Sequence, residues 1–197
     1  MDNAWSLTER EGFLRLKTNR VVNTLFLAPN TLTQRMEGPT CSGSIALDVA
    51  KMKDGDRAGL AAFNSDTGAL IIKKDGKKLT LEMTEMSAKL ASDTKAVTDV
   101  DEKVIESIPL TLSPKQSTIW LRIDGDFRPG GRGGGKDAAN FYYSLDGTDW
   151  TQIGTHDYRM RFDWQRFFMG TKFGIFCYAT KKAGGWVDVD AFSYSKN

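Results

Sequence analysis

Histidine occurs once, at His156, and cysteine twice, at Cys41 and Cys177, in a chain of 197 residues. A lone histidine argues against Ser-His-Asp and Cys-His nucleophile arrangements and against a multi-histidine metal centre. His156 sits in the turn-like "GTHDY" and reads as an exposed loop residue. The two cysteines leave two readings open, a disulfide in an oxidising compartment or two thiols buried as small hydrophobes. No apolar run reaches the ~18 residues of a membrane-spanning helix. No charged-then-apolar leader follows Met1, so neither a membrane span nor an uncleaved secretory signal is expected, although the sequence could be a piece cut from a secreted protein. Charge of one sign is also missing. The 27 basic and 25 acidic residues nearly cancel and are scattered, which excludes the basic stripe of a nucleic-acid binder.

The Glu-x-Asp-x-x-Glu spacing that places two carboxylates about 5 Å apart for retaining hydrolysis is absent as well. The nearest substitutes are "DGDF", with Asp124 and Asp126, and "VDVD", with Asp188 and Asp190. Each pair shares one face of its strand. Such a pair offers acid–base groups or hard oxygen ligands for calcium, with Asp188 and Asp190 the candidate ligands of a structural ion. Solvated carboxylates at strand ends are the plainer reading. No cofactor is required by anything in the chain.

The hydrophobic content, 40%, is enough for a substantial core, and one domain spanning 1–197 is expected. The dominant period is two. In "SGSIALDVAKM", Ile45, Leu47 and Val49 alternate with polar or small residues; in "STIWLRIDGDF", Ile119, Leu121 and Ile123 alternate with Trp120, Arg122 and Asp124. Such alternation gives strands with one face in a core. Turn signals recur at Asp54-Gly55, Ser65 to Gly68, Asp75-Gly76, Asp146-Gly147 and Ala183 to Gly185, several of them suited to hairpins. Residues 82–97 carry Met83, Met86 and Leu90 at helical spacing, but strand neighbours on both sides favour strand and loop. The glycine-rich "PGGRGGGKDA" precedes a strand, so it reads as a hairpin loop and not as a phosphate-cradling loop. "KFGIFCYATKKAGGWVDVDAFSY" reads as two strands joined by a turn.

Trp120, Arg122 and Asp124 share one strand face, as do Tyr142, Ser144 and Asp146 on the next predicted strand, and Lys172, Phe176 and Tyr178 on another. Planar aromatics beside charged hydrogen-bonding groups suit sugars, whose C–H faces stack on rings while their hydroxyls pair with Arg, Asp and Asn. The candidate carbohydrate-binding residues are therefore Trp120, Arg122, Asp124, Tyr142 and Tyr178, with Arg35 and Asn64 as further hydrogen-bonding groups. Aromatics also pack well on any pleated surface, and Trp150 reads as folded back onto its hairpin. An open groove of this kind gives affinities of roughly micromolar to millimolar.

"WSLTEREGFLRLKT", "NTLTQRMEGPTCSGSIALDV", "DGDRAGLAAFNS", "WLRIDGDF", "FYYSLDGTDWTQIG" and "FFMGTKFGIFCYATKKAGGWVDVDAFSY" occur in that order. This series, over nearly the whole chain, resembles the C-terminal module of glycoside hydrolase family 43 xylosidases and arabinofuranosidases, also classified as carbohydrate-binding module family 91. The resemblance implies a concanavalin-like jelly-roll β-sandwich of two antiparallel sheets. It also implies a module that follows a five-bladed catalytic β-propeller, packs against it and in some members sends a loop to the active-site rim. The propeller is not in this chain, so the resemblance implies a non-catalytic role: binding xylan or arabinoxylan, or docking on and completing the propeller. Its setting would be extracellular, cell-surface or periplasmic, within a larger secreted enzyme, with no nucleic-acid or membrane partner. A weaker likeness links "KFGIFCYAT" and "TQIG" to jelly-roll alginate lyases, but Gly154 stands where those have histidine and no basic groove is evident.

Overall fold

The computed structural model describes residues 4–113, 116–130 and 135–196. The strands are β1 (Trp5–Ser6), β2 (Leu14–Lys17), β3 (Leu32–Arg35), β4 (Thr40–Asp48), β5 (Asp56–Phe63), β6 (Asp66–Asp75) and β7 (Lys78–Leu90). They continue as β8 (Val97–Pro109), β9 (Thr118–Asp126), β10 (Ala138–Ser144), β11 (Thr151–Gln152), β12 (Tyr158–Arg159), β13 (Lys172–Ala179) and β14 (Trp186–Lys196). They form two antiparallel sheets. Sheet A runs β1-β2-β14-β4-β9-β10-β11, with β12 beside β10, and sheet B runs β3-β13-β5-β6-β7-β8.

The period-two pattern decides how the sheets meet. Ile45 and Leu47 of β4, Ile119, Leu121 and Ile123 of β9, Phe141 of β10 and Val187 of β14 face inward from sheet A. Leu60, Leu70, Leu81, Phe173 and Cys177 face them from sheet B, closing one core between the layers. The middle of sheet B, strands β13, β5 and β6, is buried on its second side too. Residues 18–31, with a 3-10 turn at Leu25–Leu27 capped by Thr24, lie over it, and Val22 and Leu25 close a second cluster against Ile71, Met86, Phe176 and Tyr178. This double burial explains why "AGLAAF" and "GALII" are continuously apolar, whereas β9 alternates.

Residues 82–97 are strand and turn: β7 runs to Leu90, with Met83 in the central core and Met86 in the second cluster. Gly76 holds φ +57° in the tight turn that pairs Asp75 with Lys78, the hairpin its Asp-Gly signal calls for. The glycine-rich stretch connects the antiparallel strands β9 and β10, as a hairpin loop should, and residues 131–134 within it lie outside the described residues.

The two strands in "KFGIFCYATKKAGGWVDVDAFSY" are not a hairpin. β13 pairs with β3 and β5 in sheet B, while β14 pairs with β2 and β4 in sheet A, so residues 180–185 cross between the layers. Thr18 clasps the crossing, its hydroxyl accepting hydrogen bonds from the backbone of Gly184 (3.1 Å) and Gly185 (2.9 Å). A side chain on Gly185 would collide with the buried Asp56 carboxylate. Cys41 and Cys177 are buried, unpaired thiols, and burial pushes both above the ordinary thiol value.

Phe141 is fully buried and meets Tyr158 edge-on at 5.8 Å between ring centres. Phe141→Ala is expected to cost about 3–5 kcal/mol through the cavity it leaves, read as a lower urea midpoint at unchanged m-value.

Candidate functional site

Antiparallel register brings four of the sequence-identified residues together on the outer face of sheet A. Tyr142 lies opposite Arg122, Asn140 opposite Asp124 and Ser144 opposite Trp120, while Ser42 of β4 flanks Asp124 on the other side. The Arg122 guanidinium lies between two rings, 4.4 Å from the centre of Tyr142 and 4.5 Å from that of Trp150. Trp150 therefore folds back onto the sheet, as its position after an Asp-Gly turn suggests. The same turn covers Trp120: at Gly147, φ +82°, an added Cβ would stand 3.0 Å from the indole.

Asp124 accepts a 2.6 Å hydrogen bond from the Ser42 hydroxyl and lies 3.4 Å from Arg122 Nε. Beyond it opens a groove of about 520 Å³ lined by Ser42, Arg122, Asp124, Asn140, Arg128 and Lys136, among others. Asp126 is held well below the usual carboxylate range, chiefly by the hydrogen bond from Arg128. Ser42, Asn140 and Lys136 were not singled out in the sequence; their signal was the strand register, which a sequence does not print.

The remaining candidates lie elsewhere. Tyr178 belongs to sheet B and is only 4% exposed, sealed in the second cluster beside Phe176 at 6.0 Å. Grouping it with Trp120 is corrected: alternation gives a residue's face but not its sheet. Asn64 is 1% exposed and serves the fold, its side-chain amide donating to the Met169 carbonyl at 3.1 Å and its oxygen accepting from Ser65 N. Arg35 is exposed at the end of the edge strand β3, opposite Lys172, and away from the sheet A face. Asp188 gives both oxygens to guanidiniums, Oδ1 to Arg15 Nε at 2.7 Å and Oδ2 to Arg10 Nη1 at 3.0 Å. Asp190 falls at a register shift in β14 and has no partner in β4. Both Asp188 oxygens are thus engaged by arginines, and among the described residues no group of three or more His, Cys, Asp or Glu placed to hold a metal occurs.

A second surface was not read from the sequence at all. The connection from β12 to β13 contains "RFDWQRFFMG", and in it Phe162 is 60% exposed, Trp164 65% and Phe168 83%. Phe162 and Phe168 pack on each other with ring centres 6.0 Å apart, whereas Phe167 turns inward onto Phe26 and Phe63. The available signal was density: four aromatics between Phe162 and Phe168 with neither strand nor helix period.

Arg166 fixes this loop. It donates to Asp66 through both terminal nitrogens (3.0 and 2.6 Å), to Asp163 at 2.7 Å and to the Ser87 hydroxyl at 2.8 Å. Burial pushes the Asp66 carboxyl up, but the hydrogen bonds from Arg166 and Ser87 outweigh it, and the net shift is downward from 3.8. A carboxylate depressed in the folded state contributes stability above its unfolded pKa and loses it as pH falls through the folded value. Arg166→Ala is expected to cost about 1–3 kcal/mol at neutral pH. It should also flatten the loss of stability below pH 3.8, measured by urea unfolding across the acid range.

Residues 1–195 match the family model described as the beta xylosidase C-terminal Concanavalin A-like domain. Among solved structures, a bifunctional GH43-CE protein of Bacteroides eggerthii superposes with a TM-score of 0.83 at 34% identity, covering 100% of this chain and 23% of its own. A GH43 glycoside hydrolase engineered to display both endo-xylanase and exo-arabinofuranosidase activity follows at 0.82 and 35%, over 93% of this chain and 34% of its own. A beta-xylosidase of Formosa agariphila is 27% identical over 96% of this chain and 31% of its own length. The chain thus spans about a third of the curated relatives it matches. It belongs to the family of C-terminal concanavalin A-like domains of GH43 enzymes, a β-sandwich that in its relatives is one part of a longer glycoside hydrolase.

Proposed function

We propose that this chain is a non-catalytic accessory module that docks on a GH43 catalytic domain through the aromatic loop at 162–168, as part of a larger secreted enzyme. One observation carries the reading: three large aromatics stand in solvent on a loop that Arg166 ties to Asp66 and Asp163. Apolar surface displayed this way marks an interaction site, and a loop ordered before binding loses little entropy on docking. That this chain covers only 23% and 34% of two GH43 relatives supports a partner within the remainder of such an enzyme.

A second reading rests on the sheet A face. Asp124, Asn140, Ser42 and Arg122 converge on one groove beside Trp120 and Tyr142, which suits hydrogen bonding to xylan or arabinoxylan hydroxyls. Arg122 covers a face of Tyr142 and of Trp150, so the groove offers more hydrogen bonding than stacking. Its affinity would lie toward the millimolar end, about 4 kcal/mol.

Calorimetric titration of this chain into the GH43 catalytic domain of the Bacteroides eggerthii protein separates the two. Docking predicts a measurable complex that Phe162→Ser/Trp164→Ser/Phe168→Ser weakens about 100-fold or more, since central aromatic anchors contribute on the order of 2 kcal/mol each. No complex, or one indifferent to the triple variant, would refute docking. For the sheet A face, gel retardation by xylan or arabinoxylan that disappears in Asp124→Ala/Asn140→Ala is the expected outcome. Retardation unchanged by that variant would remove the site.

A further inference from the structure

A cleft of about 360 Å³ opens between sheet B and the segment 154–161, at the margin of the central core. Strand register builds its floor. Glu85 of β7 lies opposite Gly68 of β6 on one side and Lys103 of β8 on the other, so the three share one face of the sheet. Gly68 stands two residues before Leu70, which is buried in the central core, and the floor is therefore the polar continuation of the inner face.

The segment above it is held at three points. Gly154, φ +79°, passes so close over Met83 that an added Cβ would collide with that side chain, and its amide donates to Glu106 at 2.8 Å. The Thr155 hydroxyl donates to Glu85 at 2.7 Å. The Tyr158 ring meets Phe141 edge-on and lies over Gly68, where an added Cβ would stand 3.1 Å from it.

What these groups leave unused points to a ligand. Tyr158 is only 7% exposed, yet among the described residues its hydroxyl, which lines the cleft, makes no hydrogen bond. A buried phenol ordinarily finds a partner. The charges acting on it are those of Asp66, Glu85, Arg161 and Arg166. Asp66 and Arg166 bind one another, and Asp101, also in the wall, is taken by Lys89. Glu85 has committed one oxygen, to Thr155, and Lys103 and Arg161 make no ion pair among the described residues, although Lys103 lies directly across from Glu85. One carboxylate oxygen, one ammonium, one guanidinium and one phenol thus converge with hydrogen-bonding capacity to spare.

We propose that this cleft binds one ring of a neutral saccharide, its hydroxyls donating to Glu85 and accepting from Lys103, Arg161 and the Tyr158 hydroxyl. An anion would meet Glu85 and Asp66 and a cation would meet Lys103 and Arg161, whereas a hydroxyl both donates and accepts and suits either sign. A ring also carries its hydroxyls in fixed directions, so several bonds form at little ordering cost, which an acyclic polyol does not offer. The volume is that of a small ligand cleft. The ligand class is the one read for the sheet A face, but no residue is shared with that groove and the inference does not rest on it.

The test is an amide NMR titration of this chain with xylotriose, with trigalacturonate as the anionic probe and glycerol as the acyclic one. Xylotriose is expected to shift the amides of Lys103, Gly154, Thr155 and Tyr158, with a dissociation constant of about a millimolar. Tyr158→Phe/Glu85→Gln should weaken that binding about tenfold. The melting temperature should not fall, because the lost hydroxyl has no partner and glutamine still accepts from Thr155. Asp124→Ala/Asn140→Ala should leave these shifts unchanged, so this site and the sheet A face fail separately. Shifts confined to β9 and β10, an equal response to trigalacturonate or glycerol, binding indifferent to Tyr158→Phe/Glu85→Gln, or no response to xylotriose would each overturn the proposal.

Discussion

Two sheets that each carry an apolar face can hide those faces only against one another, and the face-to-face packing of sheets A and B is the constraint on which every surface of this molecule depends. Because Ile119, Leu121, Ile123 and Phe141 must point inward, Trp120, Arg122, Asp124 and Tyr142 must point outward. The crossing at 180–185 belongs to the same constraint, since β13 and β14 complete opposite layers and the Thr18 clasp holds the chain between them.

The two outer faces then diverge. The middle of sheet B is apolar on its second side as well and is covered by residues 18–31, while its edge strand β8 stays largely exposed. Sheet A stays open, and its polar groups pair across strands, Ser42 with Asp124 and Arg10 and Arg15 with Asp188. Away from this face, the aromatic loop is tied down by Arg166, which binds Asp66, Asp163 and Ser87, while Phe162, Trp164 and Phe168 stand in solvent.

Strand alternation made the all-β class and the face of each residue on β9 and β10 legible, because burial on one side writes itself as period two. The same pattern could not say which sheet a strand joins. Tyr178 shares a strand face type with Trp120 but lies in the other sheet, and the two closing strands, joined by a turn, belong to different layers. Asn64 and Asp188 were legible as polar residues but not as buried ones, since their partners Met169, Arg10 and Arg15 are remote in the chain. The aromatic loop escaped because it has no period; only the unusual density of rings marked it.

Docking through the aromatic loop is tested most directly by hydrogen–deuterium exchange of this chain alone and in the presence of a GH43 catalytic domain. Docking predicts new protection over residues 160–170, with the sheet A face exchanging as before. Protection confined to the sheet A face, or none anywhere on the chain, would contradict it.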